Sequence, residues 1–525
     1  MKIHVIKDLI NEGQTSQALE SIKHLKEEDF FVGEILKSKI LIEENEFETA
    51  RKLLIYILEI SQTENNKVGE FTANSLLCLC LILQENVAEA QKFIQRGKHI
   101  INSMSGLEKE ESEEFSGITS CNRGWVEIYV HILGESDDPT FKGELDLAIG
   151  YYNEAIRISK KHNNLPELAR AFYGLGTAYQ YKGEFGESLI YFQNSIDISQ
   201  KRGHLLGVIS ANGSIGHNYL LQGKLDKSLH TYEKNLKIIE LQNIKDAIDP
   251  IASFRVMGRI YFIKGNLEQA LNFLKKGLNY ANEFQITTEI SCCLFNLILT
   301  SLESGMLDEA TTYNNTLENL VEKNSMRIIK LRSKLANALI LKSHKRAKYK
   351  IDAQRILESL IREKINTSEL NVFSMFNLCT QQELTVFAML NLTELLIAEF
   401  QQYGENEVLE EAEQLSNKIY TIAQDQKSQS LIVKTMILQT HYASIKGDFK
   451  KAETLLDQAY FITQEQGLEK LNNEVLKQRE DFIGEVDRIS MLAKQGASIF
   501  EREESSRLES YLTNTLAYLK DLETD

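Results

Sequence analysis

Residue types that carry out catalysis are present in this sequence, but their spacing does not build a reactive site. There is no glycine-rich P-loop ending in Lys-Ser or Lys-Thr, no His-Glu-x-x-His motif and no Gly-x-Ser-x-Gly nucleophile turn. The six cysteines lie in apolar, helix-forming surroundings without the spacing of metal ligands: Cys78, Cys80, Cys121, Cys292, Cys293 and Cys379. We therefore predict that the chain is not an enzyme and holds neither a metal ion nor a cofactor.

Three residues could belong either to a site or to the packing of the fold. Gly174 and Gly176 have the spacing of two of the three glycines in a dinucleotide-binding loop. No strand precedes them, so close packing of helices is the better explanation. Trp125 is the only tryptophan, and it fits an aromatic core position better than an exposed binding anchor.

The composition describes a long, acidic, helical chain. Its 525 residues exceed what one compact core accommodates, which leaves several domains or an elongated stack. Only 3 prolines occur, so we expect about three quarters of the residues in helices and no sheet. The net charge of −16 argues against a general nucleic-acid-binding protein, because such proteins present a basic face. The basic run from Lys342 to Lys350 is interpreted as a solvated turn.

Membrane insertion and secretion are not indicated by the sequence. No apolar stretch of about 18 residues is present that could cross a bilayer. The amino terminus reaches charged residues too soon for a signal peptide. Cysteines in apolar surroundings are typical of a reducing compartment. We predict a cytoplasmic protein with no membrane partner.

The clearest signal in the sequence is an internal repeat. A glycine, followed five residues later by a small residue, recurs every 40 to 42 residues: Gly143 with Ala148, Gly183 with Ser188, Gly223 with Ser228, Gly265 with Ala270, and Gly305 with Ala310. A large residue follows four positions later, as at Tyr152 and Phe192. The pattern predicts a first helix that ends at the glycine, where a left-handed backbone costs little, and a second helix that begins at once.

The first helix of each repeat carries a glycine near its centre, at Gly176, Gly216 and Gly258. An interior glycine costs roughly 1 kcal/mol relative to alanine. Its recurrence indicates that a neighbouring helix packs directly against the backbone at this point.

The order aromatic, Leu, Gly, Tyr, then Gly, a small residue and a second aromatic resembles that of the tetratricopeptide repeat (TPR) family, most clearly over residues 165–311. The period exceeds the usual length of about 34 residues, so helices about one turn longer are expected. This long form is similar to MalT-like regulator repeats, bacterial peptide-sensing regulators, kinesin light chains and LGN-type scaffolds. The resemblance implies an all-α fold, a right-handed superhelical solenoid of antiparallel helix hairpins.

Regions of the chain differ in how well they keep the repeat. Outside its centre the phase continues at small residues such as Ala50, Ala90, Ala353, Ala412 and Ala452, which gives about eleven hairpins. We predict five regions: N-terminal degenerate helical repeats (1–100), an acidic linker and irregular repeat with an insertion (101–142), well-formed TPR repeats (143–320), degenerate TPR-like repeats (321–467) and C-terminal amphipathic helices that cap the stack or join a second subunit (468–525).

The resemblance also implies where a partner binds, because the first helices of stacked TPR hairpins line a concave groove. The residues expected to face it are Arg170, Tyr173, Thr177, Gln180, Ser214, His217, Arg255, Arg259, Phe295 and Asn296. Guanidinium groups beside aromatic and small polar side chains suit an acidic peptide or a C-terminal carboxylate. Arginines on helix surfaces also pair with glutamates of the next helix, and the sequence leaves both roles open.

Two functions fit these expectations. The first is a protein–protein interaction scaffold or adaptor that binds a peptide or partner protein in the groove. The alternative is a peptide- or ligand-sensing regulatory protein whose superhelix changes shape on binding. Such regulators often carry an N-terminal DNA-binding or effector domain, whereas residues 1–60 already show the repeat phase. We expect a protein or peptide partner, no nucleic acid, and homo-oligomers formed, if at all, through the C-terminal helices.

Overall fold

The computed structural model describes most of the chain as a succession of α-helices. The described residues are 3–26, 30–43, 46–83, 87–133, 144–241, 248–323, 326–362, 381–425, 428–446, 448–466 and 468–494. They contain helices and no strand, so the predicted all-α class is confirmed. The repeat anchor Gly143, the thiol of Cys379 and the second of the predicted C-terminal helices lie outside these residues.

The helices alternate as the first and second members of antiparallel hairpins. Their bounds are α1 Ile3–Asn11, α2 Thr15–Lys23, α3 Phe30–Glu43, α4 Phe47–Thr63, α5 Lys67–Leu83, α6 Val87–Ser103, α7 Gly106–Glu111, α8 Glu113–Leu133, α9 Leu145–Lys161, α10 Leu165–Tyr181, α11 Phe185–Lys201, α12 Leu205–Leu221, α13 Leu225–Leu241, α14 Ile248–Ile263, α15 Leu267–Glu283, α16 Thr287–Glu303, α17 Leu307–Lys323, α18 Arg327–Ser343, α19 Ala347–Arg362, α20 Gln381–Tyr403, α21 Asn406–Asp425, α22 Gln429–Ile445, α23 Phe449–Gln466 and α24 Glu469–Lys494. Leaving aside α7 and α24, the described helices pair into eleven hairpins, the expected number.

The chain divides into two compact units. Unit 1 comprises Met1–Tyr219, Asp226–Val256 and Met326–Ile328. Unit 2 comprises Leu220–Leu225, Met257–Ser325 and Ile329–Asp525. Each unit holds several hairpins, and each is described below by itself.

The glycines between first and second helices adopt the predicted left-handed backbone. The φ angles are +76° at Gly183, +75° at Gly223, +77° at Gly265 and +74° at Gly305. Residues other than glycine are disfavoured there because their Cβ would crowd the backbone. These four positions confirm that one hairpin turn is repeated along the chain.

The glycines at the centre of the first helices allow an aromatic or aliphatic side chain to touch the helix backbone. A Cβ on Gly176 would lie 2.8 Å from the Phe192 ring, and one on Gly258 would lie 2.6 Å from Cγ of Leu274. Phe192 and Leu274 are themselves fully buried. The inference that a neighbouring helix packs directly on these glycines is confirmed.

The small residue of the second helix has a role beyond its size in two repeats. The Ser188 hydroxyl donates to the carbonyl oxygen of Gly176 at 2.8 Å, and the Ser228 hydroxyl donates to that of Gly216 at 2.7 Å. A hydrogen bond from the second helix to a carbonyl of the first requires the two backbones to be close. The serine and the glycine therefore act together to hold each hairpin closed.

The acidic stretch between hairpins, which we expected to be a linker, is largely helical. Ser105 accepts a hydrogen bond from the Glu108 amide, and the Glu108 carboxylate accepts one from the Ser105 amide. This capping box satisfies amides at the start of α7, so the segment begins a helix at Gly106 instead of remaining extended. Glu113 and Glu114 then occupy the first turn of α8, where negative charge is favourable.

Two further expectations concern membranes and cysteines. None of the described helices has the length and hydropathy needed to cross a bilayer.

The described cysteines are all buried, and burial raises the pKa of the Cys78 and Cys80 thiols to about 12. These two thiols are therefore small core residues and not nucleophiles.

Gly174 tests the close packing of helices, because a Cβ on it would lie 2.2 Å from the buried Tyr152 ring. We expect Gly174→Ala to destabilise the protein by about 1 to 3 kcal/mol, as overpacking of a core does. The measurement is thermal unfolding followed by circular dichroism.

Gly186 provides the matched control, since it lies in α11 and a Cβ added to it would meet no atom within 4 Å. Gly186→Ala should leave stability unchanged or raise it by less than about 1 kcal/mol. Equal effects of the two substitutions would contradict the packing explanation.

Candidate functional site

The predicted groove residues of unit 1 lie around Tyr173 on α10. The Tyr173 ring packs between Trp125 and Phe192, with ring centroids 5.7 and 5.5 Å away. Its hydroxyl accepts a hydrogen bond from the Ser214 hydroxyl at 3.0 Å. Trp125 is half-buried in this cluster, which confirms that it is a packing residue more than an exposed anchor.

A buried polar network joins α10, α11 and α12 beneath this surface. The Gln180 side-chain amide donates to the Ser214 carbonyl oxygen at 3.1 Å and to the Asn218 side-chain oxygen at 2.8 Å. The Asn218 side-chain amide then donates to the Ser188 hydroxyl at 2.9 Å. Gln180 is only 3% exposed. It therefore fixes the position of one hairpin relative to the next, and a partner cannot reach it in this conformation.

Arg170 is held by its own chain. Its guanidinium donates to both oxygens of Glu167, at 3.1 and 2.8 Å, and to the Asn122 side-chain oxygen at 3.0 Å. A further bond reaches the Ile118 carbonyl oxygen at 3.4 Å. The sequence left open whether such an arginine pairs internally or binds a ligand. For Arg170 the structure shows an ion pair within α10, to Glu167, and hydrogen bonds from α10 to α8.

Half of the ten predicted groove residues are buried. The buried ones are Thr177, Gln180, Arg259, Phe295 and Asn296. Arg170, Tyr173, Ser214, His217 and Arg255 are half-buried. The expectation that Phe295 and Asn296 face an open groove is wrong: Phe295 is 0% exposed, and the Asn296 side chain bonds to the Cys292 carbonyl oxygen of its own helix.

In unit 2 the same positions of the repeat carry a row of charges. Arg170 and Thr177 lie eighteen and eleven residues before the small residue of their hairpin. The same offsets from Ala353, Ala412 and Ala452 give six residues, of which Leu335 and Gln401 are uncharged and the others are Lys342, Glu394, Lys434 and His441. These residues were not predicted as site residues, although counting back from the three alanines would have found them.

These charges form alternating pairs across first helices of successive hairpins and α24. The Lys342 ammonium pairs with Glu394 and donates to the Asn391 side-chain oxygen at 2.7 Å. The Lys434 ammonium pairs with Glu474 at 2.6 Å. We call Lys342, Glu394, Lys434 and Glu474 the charge ladder. Their side chains remain 23 to 39% exposed, so solvent or a partner can reach them.

The pairs of the charge ladder influence each other's protonation. Burial raises the pKa of the Glu394 carboxyl, but Lys342 and Lys434 outweigh it and hold that pKa below its ordinary value. Burial lowers the pKa of the Lys434 ammonium, but Glu474 and Glu394 outweigh it and raise that pKa. Glu394 and Lys434 are consequently both charged at neutral pH. Burial lowers the pKa of the nearby His441, which keeps this imidazole neutral at the same pH.

The charge ladder can bind charged groups but offers no reaction chemistry. Carboxylates paired with ammonium groups are poor general acids, because their pKa values move away from neutrality. No cluster of His, Cys, Asp and Glu suited to a metal ion occurs within the described part of the chain. A nearby crevice beside Thr393, Glu413 and Tyr442 measures about 20 Å³, room for about one water. The accessible chemistry is recognition on an open surface.

Stacked antiparallel hairpins of this kind define a helical-repeat protein. The sequence matches the family described as MalT-like TPR region over residues 140–468, which is more than half of the chain. The protein belongs to this family, and the resemblance to long-period TPR repeats is confirmed. No curated protein sequence matches the chain.

Solved structures share the fold at low sequence identity. The apo quorum sensor NprR from B. thuringiensis is 14% identical with a TM-score of 0.52, and the match covers 74% of this chain and 99% of that one. A Rap protein complexed with competence and sporulation factor is 12% identical with a TM-score of 0.51, covering 77% of this chain and 99% of that one. The similarity establishes a TPR-like helical solenoid.

The coupling between Lys342 and Glu394 can be measured with a double-mutant cycle. We expect Lys342→Met and Glu394→Gln each to lower stability, and the double variant to lose about 1 kcal/mol less than their sum at pH 7. Because the pKa of Glu394 is lowered, this coupling is fully present above pH 4.5, the ordinary value, and declines as the pH falls through the lowered pKa. Thermal unfolding of the four proteins measures it, and additive losses at pH 7 would contradict the pairing.

Proposed function

We propose that this protein binds a peptide, or an extended segment of a partner protein, along the charge ladder of unit 2. The observation that carries the proposal is the alternation of Lys342, Glu394, Lys434 and Glu474 at accessible positions of first helices and of α24. A solenoid does not need charges at these positions for its core, which the apolar residues between the helices supply. Paired charges on an accessible surface can exchange their partners for those of a ligand.

The chemistry of the ladder indicates what the ligand must carry. A carboxylate of the ligand can take the place of Glu394 or Glu474 on a lysine, and a cationic group can take the place of a lysine on a glutamate. A short peptide with both termini free supplies one of each. The expectation of an acidic or C-terminal ligand is retained in this form.

A regulatory role follows if the ligand alters how hairpins are joined. The Lys342–Glu394 pair links α18 to α20, and the Lys434–Glu474 pair links α22 to α24. A ligand that takes one partner from each pair changes the contacts between successive hairpins. The quorum sensor NprR shares this fold, and we propose by analogy that our alternative function, a peptide-sensing regulator, is the better description.

The proposal also covers whether the protein catalyses a reaction and in which compartment of the cell it is found. We propose that the protein is not an enzyme, because the accessible charges are paired carboxylates and ammonium groups without an activated nucleophile. We also propose a cytoplasmic location, on the ground that Cys78, Cys80 and Cys121 are buried thiols of the kind kept in reducing compartments.

Charge reversal of the ladder lysines tests the binding site. The double variant Lys342→Glu, Lys434→Glu places four carboxylates in one row, so we expect it to bind the ligand at least tenfold more weakly, about 1.4 kcal/mol. Peptides retained by the parent protein from an extract of its own cells are identified by mass spectrometry. Synthetic copies are then titrated by calorimetry, each with a free carboxyl terminus and with a C-terminal amide.

Lys275 and Lys276, which are exposed on the second helix α15 of the same unit, provide the matched control. Lys275→Glu, Lys276→Glu makes the same change of net charge away from the ladder and should bind as the parent does. Equal weakening by both double variants would indicate a general charge effect and contradict the site. Equal affinity of the acid and amide peptides would exclude the terminal carboxylate as the recognised group.

Self-association through the C-terminal helix is proposed from the exposed side of α24. Leu471, Val475 and Phe482 are buried against the stack, whereas Leu476 is 40% and Ile483 is 56% exposed. Leu476 and Ile483 lie two helical turns apart on one face. If a second copy covers this face, sedimentation velocity should show a dimer for the parent and a monomer for Leu476→Glu, Ile483→Glu. A monomeric parent would contradict the prediction.

A further inference from the structure

A set of contacts in unit 1 departs from the way repeats usually stack. Repeats of a solenoid contact their neighbours in sequence. Here the first hairpin and α3 also contact the start of α8 and the residues that follow α9 and α11. The contacting residues are 75 to 192 positions apart in the sequence. The segment from α1 to α3 therefore folds back on hairpins that follow much later in the chain.

Arg202, immediately after α11, is the centre of the first contact. Its Nη2 donates to both carboxylate oxygens of Glu43, at 3.0 and 2.9 Å, and to the Ile10 carbonyl oxygen at 3.3 Å. The Arg202 residue is only 3% exposed. An arginine buried against a carboxylate is strongly held while the contact exists, and removing one partner leaves an uncompensated charge.

The turn of the first hairpin is shaped to fit against the same place. Gly13 has a φ of +74°, and a Cβ on it would lie 1.9 Å from the Arg202 carbonyl oxygen. Beside it, the Asn11 side chain donates to the Asn163 carbonyl oxygen at 2.9 Å and accepts from the Leu165 amide at 3.2 Å. The backbone between α9 and α10 is thus bound by hydrogen bonds in both directions, as in a specific interface.

Glu114, at the start of α8, forms the second ionic contact. It pairs with Lys7 of α1 at 2.8 Å and with Lys39 of α3 at 3.1 Å. Burial raises the pKa of the Glu114 carboxyl, but Lys39 and Lys7 outweigh it and lower that pKa to about 2. Glu114 is therefore ionised throughout the physiological range, and both pairs persist at neutral pH.

The contact is nevertheless incompletely satisfied. The Arg202 Nε and the His204 Nε2 are buried and make no hydrogen bond within the described residues. Buried polar groups without partners disfavour the state that buries them, and water would satisfy both groups if the contact opened. The ionic pairs favour the contact, whereas these two unpaired groups oppose it.

We propose that α1, α2 and α3 form a reversible clasp, which closes unit 1 by binding the turns around Glu114, Asn163 and Arg202 and can open without unfolding the hairpins between. The closed clasp fixes the curvature of the intervening hairpins, α4 to α11, because both ends of that segment are tied together. Opening releases this constraint and exposes the paired charges. A partner that binds only the open form would shift the equilibrium toward it.

Hydrogen–deuterium exchange of the full-length protein without ligand tests the clasp. Arg202→Met keeps an unbranched apolar side chain but removes the guanidinium group and its charge, and Glu43→Gln keeps the shape of the carboxylate. We expect either substitution to speed amide exchange in α1 and α2 at least tenfold. Amides of α6 and α13 in unit 1 and of α16 and α22 in unit 2 should exchange as in the parent.

Arg157→Met is the control, since Arg157 pairs at 2.7 Å with Glu154 on the exposed face of α9 and should leave α1 and α2 unchanged. Faster exchange throughout unit 1 in the Arg202 and Glu43 variants would overturn the proposal, because the contact would then be part of one cooperative fold. Unchanged exchange in α1 and α2 would overturn it as well. The result does not depend on the ligand proposed for unit 2.

Discussion

The structure depends on how closely the two helices of each hairpin approach. A glycine at the centre of the first helix leaves room for a ring or a branched side chain of the second, as with Gly176 and Phe192. The small residue of the second helix completes the contact, and in two hairpins it is a serine bonded to the glycine carbonyl. Helices that lie this close have little freedom to slide. The remaining positions of the repeat therefore each face a fixed side of the hairpin.

This fixed assignment explains why polar residues of the first helices have two different roles. In unit 1, Gln180 and Arg170 bond to the adjacent hairpins and set the spacing between them. In unit 2, Glu394 and Lys434 occupy the position of Arg170, and they pair with Lys342 and Glu474 but stay accessible. The first arrangement stabilises the stack, while the second leaves charges that a ligand can exchange. The same position in the repeat is thus structural in one unit and available for recognition in the other.

The N-terminal clasp adds a constraint that nearest-neighbour stacking cannot provide. Contacts between successive hairpins determine local angles, whereas the Arg202–Glu43 pair connects residues 159 positions apart. The segment between them is folded, so the ionic contacts have only to hold its hairpins at the curvature that brings Glu43 and Arg202 together. A protein that senses a partner through changes of curvature benefits from such a contact, because a small local change can then alter a whole unit.

Residue order alone was enough to predict the all-helical class, the hairpin turns and the family, because glycine conformation and helix periodicity act over a few residues. It also identified Trp125 as a packing residue. Tertiary packing decided which of the expected groove residues are accessible to a partner. Phe295 and Asn296 occupy expected groove positions yet are buried, since exposure depends on how neighbouring hairpins pack and not on position within one helix. The clasp was invisible for the same reason: Arg202 and Glu43 meet only when the intervening hairpins have stacked and curved.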